Sequence, residues 1–229
     1  MTTPGPLIGE GRAADVYDVG GGLVLRRNRT GASTALSATV MRHLHDHGYP
    51  VPRVEHAEAG DLVMERIDAP TMLDEFGRRP WKVLTFARTL ADLHRRLAEI
   101  PLPDVDLEMP FGPGPSLLHL DLHPDNVMLT EHGPIVIDWD NATAGPAAAD
   151  VASTWVITAT SEVDSTGPER RLLEFGRSLF VRAFLRHAGR PEAQRVLRVV
   201  GDRRLLDRNV RPSEADAIRR LVARAAIDD

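Results

Sequence analysis

The densest group of polar side chains lies in two neighbouring segments of the sequence, 118–129 (LHLDLHPDNVML) and 135–140 (IVIDWD). Both segments contain short apolar runs of the kind that form buried strands. A carboxylate beside a buried strand is costly unless a metal ion or a charged partner neutralises it. We therefore expect this part of the chain to carry chemistry, and two metal-based interpretations account for its residue types.

In the first interpretation, His119, Asp121 and His123 alternate along one strand, so that their side chains face the same way. Imidazole and carboxylate ligands in such a row are typical of metal-dependent hydrolases. This interpretation gives no role to Asn126 or to the glycine-rich start of the chain.

In the second interpretation, Asp121 is a base, and Asn126 and Asp138 are oxygen ligands for Mg²⁺ carried by a nucleotide. The spacing His-x-Asp-x-x-x-x-Asn that begins at His119 matches the catalytic-loop pattern of kinase-like phosphotransferases. Asp138 follows the apolar run 135–137, where the second metal ligand of that pattern belongs. The second interpretation explains more of the residues, and we prefer it.

The glycine-rich start of the chain supplies a further signal. The pattern Gly9-x-Gly11-x-x-Ala14-x-Val16 matches the glycine-rich loop of kinases, with alanine in place of the third glycine. Alone this motif is weak, because glycine-rich hairpins are common. Its position ahead of the segment 119–126 makes it an argument for a nucleotide site.

Together these motifs resemble the aminoglycoside phosphotransferase-like family, whose members have the protein-kinase-like fold. The resemblance extends from about Ile8 to about Ala152, and that family also often has a proline where Pro124 stands. It implies an enzyme, a small-molecule kinase that moves the γ-phosphoryl group of ATP or GTP to a hydroxyl of an aminoglycoside-like molecule, an amino-alcohol or a sugar. The implied partners are the nucleotide and this hydroxyl acceptor, and the implied cofactor is Mg²⁺.

The resemblance also implies roles for single residues. Asp121 is the implied catalytic base, and His123 is the residue that would approach the transferred phosphoryl group. Asn126 and Asp138 are the implied Mg²⁺ ligands, and His119 would hold the loop. The residues implied in nucleotide binding are Gly9, Gly11, Val24, Arg26, Glu65 and Ile67.

Within that nucleotide set, Val24 would touch the adenine, and backbone groups of Glu65 and Ile67 would pair with the purine edge. Arg26 would take the place of the strand lysine that steadies the α- and β-phosphates in the family, because Lys82 is the only lysine of the chain. An arginine is a planar fork and is not equivalent to the point charge of a lysine.

A second departure from the family pattern concerns the partner of that strand cation. In the family it pairs with a glutamate on the following helix, and Ser37 stands at that position here. No acidic residue occurs between Asp18 and Asp46, so Arg26 is expected to lack its usual helix partner. A catalytically impaired nucleotide-binding or regulatory module is therefore the alternative function, and the metal-dependent hydrolase is the third.

Three other polar residues are interpreted as structural. Asp140 is taken as a solvated turn residue, and His94 as a buried histidine beside the apolar face of a helix. Asp150 resembles the aspartate at a helix start that braces the catalytic loop in the family.

The elements that must position these residues follow from the hydrophobic periodicity. Residues 7–30 are predicted to form a glycine-turned hairpin, 33–47 a helix, and 53–56 and 62–67 two short strands. Further helices are predicted at 81–99, 148–160, 168–187, 191–206 and 213–226, with Trp155, Phe175 and Phe184 in helix cores.

These elements predict an α+β, bilobal protein-kinase-like fold. Residues 1–67 would form a small antiparallel-sheet lobe that binds the nucleotide, and residues 68–229 a mainly helical lobe for catalysis and substrate binding.

Composition excludes several other classes of function. The 229 residues carry a net charge of −5 and contain no cysteine, which excludes a disulfide framework and a zinc–thiolate site and leaves no basic face for nucleic acid. No stretch approaches the ~18 apolar residues of a membrane span, and the start MTTPGP shows no secretory signal. We expect a cytoplasmic protein without a nucleic-acid or membrane partner.

Overall fold

The computed structural model describes residues 3–11, 13–162 and 166–225, and these divide into two compact units. The sheet unit takes its described residues from Met1–Pro70, Pro103–Val105 and Val127–Ala142. The helical unit takes them from Thr71–Leu102, Asp106–Asn126 and Thr143–Asp229. The segment 127–142, which follows the segment 119–126 directly, thus groups with the N-terminal part of the chain.

A five-stranded antiparallel sheet forms the body of the sheet unit. Its strands are β1 (Leu7–Glu10), β2 (Ala14–Gly20), β3 (Leu23–Asn28), β4 (Val54–Glu58) and β5 (Asp61–Glu65), and their spatial order is β1-β2-β3-β5-β4. The central strand β3 places Leu25 opposite Tyr17 of β2 and Val63 of β5. The chain turns from β2 into β3 at Gly20–Gly22, whose positive φ angles of 78°, 62° and 74° favour glycine.

Helix α1 (Ala35–Asp46) belongs to the same unit and buries Val40, Met41 and Leu44. Just before it, the Thr34 hydroxyl donates to the Asp61 carbonyl at 2.9 Å, which ties the start of the helix to β5. The helix ends before Gly48, which has a φ of 72°.

The hairpin of β7 (Val127–Thr130) and β8 (Gly133–Val136) is the second sheet of this unit. The Val136 amide donates to the Pro50 carbonyl at 2.8 Å. Trp139 is 1% exposed, packs edge-on against Tyr49 and donates from its indole nitrogen to the Val136 carbonyl at 3.2 Å. This buried tryptophan fixes the turn after β8, in which Asp138 and Asp140 lie on either side of it.

The helical unit contains six α-helices among its described residues and a short two-stranded ladder. The helices are α2 (Met72–Arg78), α3 (Val83–Ala98), α4 (Ala147–Thr160), α5 (Gly167–Ala188), α6 (Arg190–Arg204) and α7 (Pro212–Ala225), and the ladder pairs β6 (Ser116–Leu118) with β9 (Thr143–Gly145). Phe76, Phe86, Phe180 and Phe184 build an aromatic core from α2, α3 and α5. Within the described ranges, no helix has both the length and the apolar character needed to cross a membrane.

The predicted α+β fold, with an antiparallel sheet first and helices later, is confirmed. The predicted helices match the observed ones to within two residues at each end, although Ala226 of the last prediction lies outside the described residues. The division at residues 67 and 68 stays a prediction. Phe175 is 67% exposed, so the expectation that it lies in a helix core is wrong.

The sequence analysis missed three short elements, α2, β7 and β9. Helix α2 has only seven residues, too few for an amphipathic pattern to stand out. It is stabilised by a capping box, in which the Thr71 hydroxyl accepts from the Asp74 amide and the Asp74 carboxylate accepts from the Thr71 amide. That motif was visible in the sequence.

Candidate active site

The segment that begins at His119 is a loop of the helical unit. Strand β6 ends at Leu118, and Leu120 has a φ of 61°, a left-handed conformation that a leucine rarely adopts. His119, Asp121 and His123 therefore do not alternate along one strand. The premise of the hydrolase interpretation is wrong, because the chain leaves the extended conformation immediately after His119.

The strained backbone of Leu120 is held by side chains of α4. One carboxylate oxygen of Asp150, Oδ1, accepts from the amides of His119 at 3.0 Å and Leu120 at 2.6 Å. The Ser153 hydroxyl donates to the Leu120 carbonyl at 2.5 Å. Both backbone polar groups of Leu120 are thus bonded to one helix, which fixes the chain directly before Asp121.

The same helix face is linked to a buried histidine of α3. His94 is 5% exposed, and its Nδ1 lies 3.1 Å from the second carboxylate oxygen of Asp150. Thr154 gives its hydroxyl proton to the Leu122 carbonyl, so His94 Nε2, which lies 3.0 Å from that hydroxyl, must be the donor there.

Asp150 is an ionised carboxylate in the protein interior. Burial raises its pKa, but the electrostatic interaction with His94, together with His119 and the amide of Leu120, outweighs burial. The pKa of Asp150 therefore lies below its ordinary value.

Asp121, His123 and Asn126 lie together at the end of this loop. The side-chain amide of Asn126 donates to the Asp121 carbonyl at 2.8 Å and to the carboxylate oxygen Oδ2 at 3.1 Å. His123 Nε2 lies 3.5 Å from the other carboxylate oxygen. Because the two nitrogen-bound hydrogens of Asn126 point at Asp121, its oxygen Oδ1 points away and is the atom that could ligate a metal.

The Asp121 side chain is 23% exposed, and its electrostatic surroundings favour the ionised form. Burial raises the pKa of Asp121, but the hydrogen bond and charge of His123, followed by the charges of His119 and Arg204, lower it below its ordinary value. Asp121 is therefore a carboxylate at neutral pH, with the capacity to accept a proton.

Arg26, Asp138, Asp140 and Ser37 form a second group, within the sheet unit. The Arg26 guanidinium donates from Nη1 and Nη2 to the two carboxylate oxygens of Asp140, at 3.1 and 2.6 Å. Nη2 also donates to Asp138 at 3.0 Å, and the Ser37 hydroxyl donates to Asp140 at 3.0 Å. The Arg26 side chain is only 9% exposed.

This group corrects two expectations. Asp140 lies in a turn and is an exposed residue, but its carboxylate also binds Arg26 and Ser37, which the solvated-turn interpretation did not foresee. Arg26 does lack an acidic partner on α1, as expected, but carboxylates from the turn after β8 take that place.

Asp138 itself has a φ of 64°, and its side chain is 40% exposed. Aspartate tolerates the left-handed conformation better than most residues do. An accessible carboxylate oxygen and the Asn126 amide oxygen are the hard donors that Mg²⁺ prefers, and nucleotide phosphates and water supply the remaining ligands of such an ion. By donor chemistry, each of these two oxygens taken by itself suits a Mg²⁺ ligand.

The predicted glycine-rich loop connects β1 and β2. The Gly11 amide donates to the Ala14 carbonyl at 2.8 Å and closes the turn. A Cβ atom at Gly11 would lie 3.0 Å from that carbonyl oxygen, so a larger residue would crowd it. Gly9 lies in β1 opposite Val16 of β2.

The other predicted nucleotide residues lie on β3, at the end of β5 and just after it. Val24 is 5% exposed and shares one face of β3 with Arg26, two residues further along. The Glu65 amide donates to the Arg53 carbonyl at 2.8 Å, so the carbonyl of Glu65 is the backbone group left to consider for a ligand. Ile67 follows the end of β5 and is half-buried.

The structure brings the predicted residues into two groups, Asp121 with His123 and Asn126 in one unit, and Arg26 with Asp138 in the other. The sequence analysis missed the parts played by Ser153, Thr154, Ser37 and Asp140. Two signals for Asp140 were available: no acidic residue stands at or near position 37 of α1, and Asp140 itself lies only two residues after Asp138.

Comparisons with known proteins identify the family of the chain. The sequence model of the APH family, described as the phosphotransferase enzyme family, matches residues 5–111 and 102–191. A search of the curated proteins found no match.

Solved structures with the same fold include small-molecule kinases. A choline/ethanolamine kinase family protein from Mesorhizobium loti is 18% identical, with a TM-score of 0.57 over 99% of this chain and 88% of that one. A Plasmodium vivax ethanolamine kinase is 10% identical, with a TM-score of 0.59 over 95% and 81% of the two chains. The aminoglycoside phosphotransferase APH(2")-IIa, in complex with gentamicin, is 12% identical, with a TM-score of 0.62 over 97% and 89%. With the family model covering most of the sequence, the chain belongs to the phosphotransferase enzyme family and is a small-molecule kinase.

Proposed function

We propose that this kinase transfers the γ-phosphoryl group of ATP or GTP to a hydroxyl of a small molecule, with Asp121 as the catalytic base. The observation that carries the proposal is the Asp121–Asn126 pair. A carboxylate with a lowered pKa is hydrogen-bonded by the asparagine five residues later, in a loop that α4 holds rigidly.

Asp121 would orient the acceptor hydroxyl and accept its proton as the oxygen–phosphorus bond forms. Phosphoryl transfer has a loose and highly charged transition state, so the placement of the hydroxyl matters more than strong basicity. The low pKa of Asp121 suits this task, because the carboxylate is ionised at neutral pH. His123, 3.5 Å from Asp121, would lie near the transferred group and donate a hydrogen bond to it.

Asn126 and Asp138 are the residues that we assign to Mg²⁺. Asn126 would offer Oδ1, since its amide nitrogen is used by Asp121, and Asp138 would offer its half-exposed carboxylate. When bound, the ion would neutralise charge on the nucleotide phosphates.

The nucleotide itself is assigned to residues of the sheet unit. Gly9 and Gly11 would cover the phosphates, and Arg26 would donate to the α- and β-phosphates. Val24 would contact the base, while the Glu65 carbonyl and the Ile67 amide would pair with its polar edge. Solved structures of aminoglycoside phosphotransferases with AMP-PNP and with ADP support an adenine nucleotide as the phosphoryl donor.

The acceptor is proposed as a hydroxyl-bearing molecule in the size range of amino-alcohols, sugars and aminoglycosides. Support comes from the similar structures, which include ethanolamine kinases and phosphotransferases in complex with hygromycin B, gentamicin and streptomycin.

The alternative of an impaired module was motivated by Arg26 in place of the strand lysine and by the missing helix acid. The carboxylates of Asp138 and Asp140 take the place of that acid and so weaken the second motive. We therefore propose an active kinase.

The test is a phosphotransfer screen. The wild-type chain is incubated with Mg²⁺, with ATP or GTP, and with a panel of amino-alcohols, sugars and aminoglycosides, and nucleoside diphosphate release is measured for each acceptor. We expect acceptor-dependent release that Asp121→Asn abolishes and Asp125→Asn, an exposed neighbour in the same loop, leaves intact. Nucleotide binding without turnover on any hydroxyl would favour the module instead.

A further inference from the structure

We propose that Asp140, supported by Ser37, is the positioning residue of Arg26 and replaces the helix acid that this chain lacks. The inference rests on the proposed function, in which Arg26 donates to the nucleotide phosphates. It goes beyond that function because it names the residue that holds Arg26 in place, Asp140 in the turn after β8. Helix α1 then acts on Arg26 only indirectly, through Ser37 and Asp140.

The contact between Arg26 and Asp140 has the geometry of a rigid clamp. Two parallel hydrogen bonds, at 3.1 and 2.6 Å, join the two terminal nitrogens of the guanidinium to the two carboxylate oxygens. Such a fork fixes the plane of the guanidinium as well as its distance. The Arg26 side chain is only 9% exposed, so the guanidinium is shielded, whereas the Asp140 side chain is 28% exposed and stays partly accessible to solvent.

Asp138 makes a different kind of contact with the same arginine. It accepts a single bond from this arginine, from Nη2 at 3.0 Å, and its side chain is 40% exposed. A phosphate oxygen could replace Asp138 at that Nη2 hydrogen without disturbing the fork to Asp140. Asp140 is thus the permanent anchor, and Asp138 holds a bond that a ligand can exchange.

Ser37 explains how α1 takes part although the expected acid is missing at this position. Its hydroxyl donates to the Asp140 oxygen Oδ1 at 3.0 Å, the same atom that accepts from Arg26 Nη1. A serine hydroxyl can donate a hydrogen bond to a carboxylate, whereas an ionised glutamate can only accept one. Ser37 is therefore compatible with a neighbouring carboxylate from another segment, here Asp140. Trp139, buried between Asp138 and Asp140 in sequence, keeps that segment in place.

The experiment compares nucleotide and nucleoside affinities by calorimetry. Wild type, Asp140→Asn and the control Asp61→Asn are titrated with ATP and GTP, and with adenosine and guanosine. Asp61 accepts two hydrogen bonds, each at 2.7 Å, from Arg27, whose side chain lies on the face of β3 opposite to that of Arg26. The Arg27–Asp61 ion pair is therefore matched to the Arg26–Asp140 pair but lies outside the proposed site. We expect Asp140→Asn to weaken nucleotide binding about tenfold or more while nucleoside binding stays within about twofold, and Asp61→Asn to change neither.

A rescue variant tests the replacement directly. Ser37→Glu in the Asp140→Asn background returns an acid to the helix position, and we expect it to recover most of the lost nucleotide affinity. Should Asp140→Asn fail to fold, Ser37→Ala removes one hydrogen bond to Asp140, and a loss of about twofold to fivefold confined to the nucleotide is expected.

The outcomes separate this proposal from the function on which it rests. A wild-type chain that binds neither nucleotide overturns the proposed function, and the role of Asp140 with it. Normal nucleotide binding by Asp140→Asn overturns the role of Asp140 alone. Equal losses for nucleotide and nucleoside also overturn it, because they indicate a general packing defect.

Discussion

Asp150 holds Leu120 in a left-handed backbone conformation, accepting the Leu120 amide hydrogen at 2.6 Å while the φ angle of that leucine is 61°. A leucine pays for this conformation with roughly 1–2 kcal/mol. The chain adopts it because the buried carboxylate binds two successive amides and, through His94, is tied to α3. Asp121 directly follows Leu120, so this contact orients the backbone from which the side chain of the proposed base projects.

The first prediction concerns the dependence of stability on this buried carboxylate. Asp150→Asn should lower the free energy of unfolding at pH 7 by about 3–5 kcal/mol, because it removes the buried charge that two backbone amides and His94 face. The pKa of Asp150 is lower in the folded protein than in the unfolded chain, where it is about 3.9. Its contribution is therefore fully present above pH ~4 and is lost as the pH falls through the lower, folded-state pKa.

Urea unfolding of wild type and Asp150→Asn between pH 3 and pH 7 checks this sign. Below pH ~5, where histidines of the unfolded chain stay protonated, the difference between the two proteins should shrink as the pH falls through the range below ~4. Asp92→Asn is the control, because Asp92 is exposed on α3 and pairs only with surface Arg95 at 3.5 Å. A difference that grows as the pH falls would contradict the assignment.

Most of the elements, and the two clusters of polar residues, could be predicted from the sequence. Spacing alone selected Asp121, Asn126 and Asp138, because the catalytic-loop pattern lies within 20 consecutive residues. Periodicity located the long helices, because α3 repeats its apolar residues over 16 positions. Seven residues of α2 were too few for such a signal.

The contacts that tie these residues together lie beyond what spacing can show. Arg26 and Asp140 are 114 positions apart, and no local pattern connects a strand residue to a turn so far along the chain. The φ angle of Leu120 was equally hidden, since leucine normally avoids that conformation and only the tertiary contacts to α4 impose it.

The second prediction concerns Mg²⁺. Asp138→Asn should abolish most of the enhancement of nucleotide affinity by Mg²⁺, because an amide oxygen is a much weaker ligand than a carboxylate. Asparagine is chosen because it also tolerates the φ of 64° at this position. The measurement is calorimetric titration with ATP and GTP, in Mg²⁺ and in EDTA. Asp46→Asn, in an exposed position at the end of α1, is the control, and an unchanged Mg²⁺ effect in Asp138→Asn would defeat the assignment.

The third prediction concerns the strand cation. If Arg26 donates to the α- and β-phosphates, Arg26→Ala should weaken nucleotide binding about tenfold to a hundredfold, which corresponds to the 1.5–3 kcal/mol of about one charge-assisted hydrogen bond. Nucleoside binding should change much less. Arg27→Ala is the matched control, since Arg27 neighbours Arg26 on β3 but pairs with Asp61 on the other face. Equal effects of the two substitutions would point to packing of the strand rather than to a phosphate contact.

The last prediction tests the chemistry, once an acceptor is known. Asp121→Asn keeps the shape of the side chain but removes its capacity to accept a proton, so kcat should fall about 10²–10⁴-fold, or ~2.7–5.5 kcal/mol of barrier. Nucleotide affinity should hardly change, because Asp121 acts on the acceptor. His123→Ala should cost less, since a neighbour 3.5 Å from the base assists charge stabilisation without taking the proton.

Steady-state kinetics of the two variants, with Asp125→Asn as the control from the same loop, decide between these roles. The lowered pKa of Asp121 adds a second signature: wild-type kcat should stay constant as the pH falls from 7 through the ordinary aspartate range near pH 4, and decline only below it. A decline that follows titration above pH 5 would assign the essential ionisation to another group. Near-native turnover by Asp121→Asn together with an inactive His123→Ala would place the proton transfer on His123, because a histidine that alone abolishes activity must act on the reacting atoms itself.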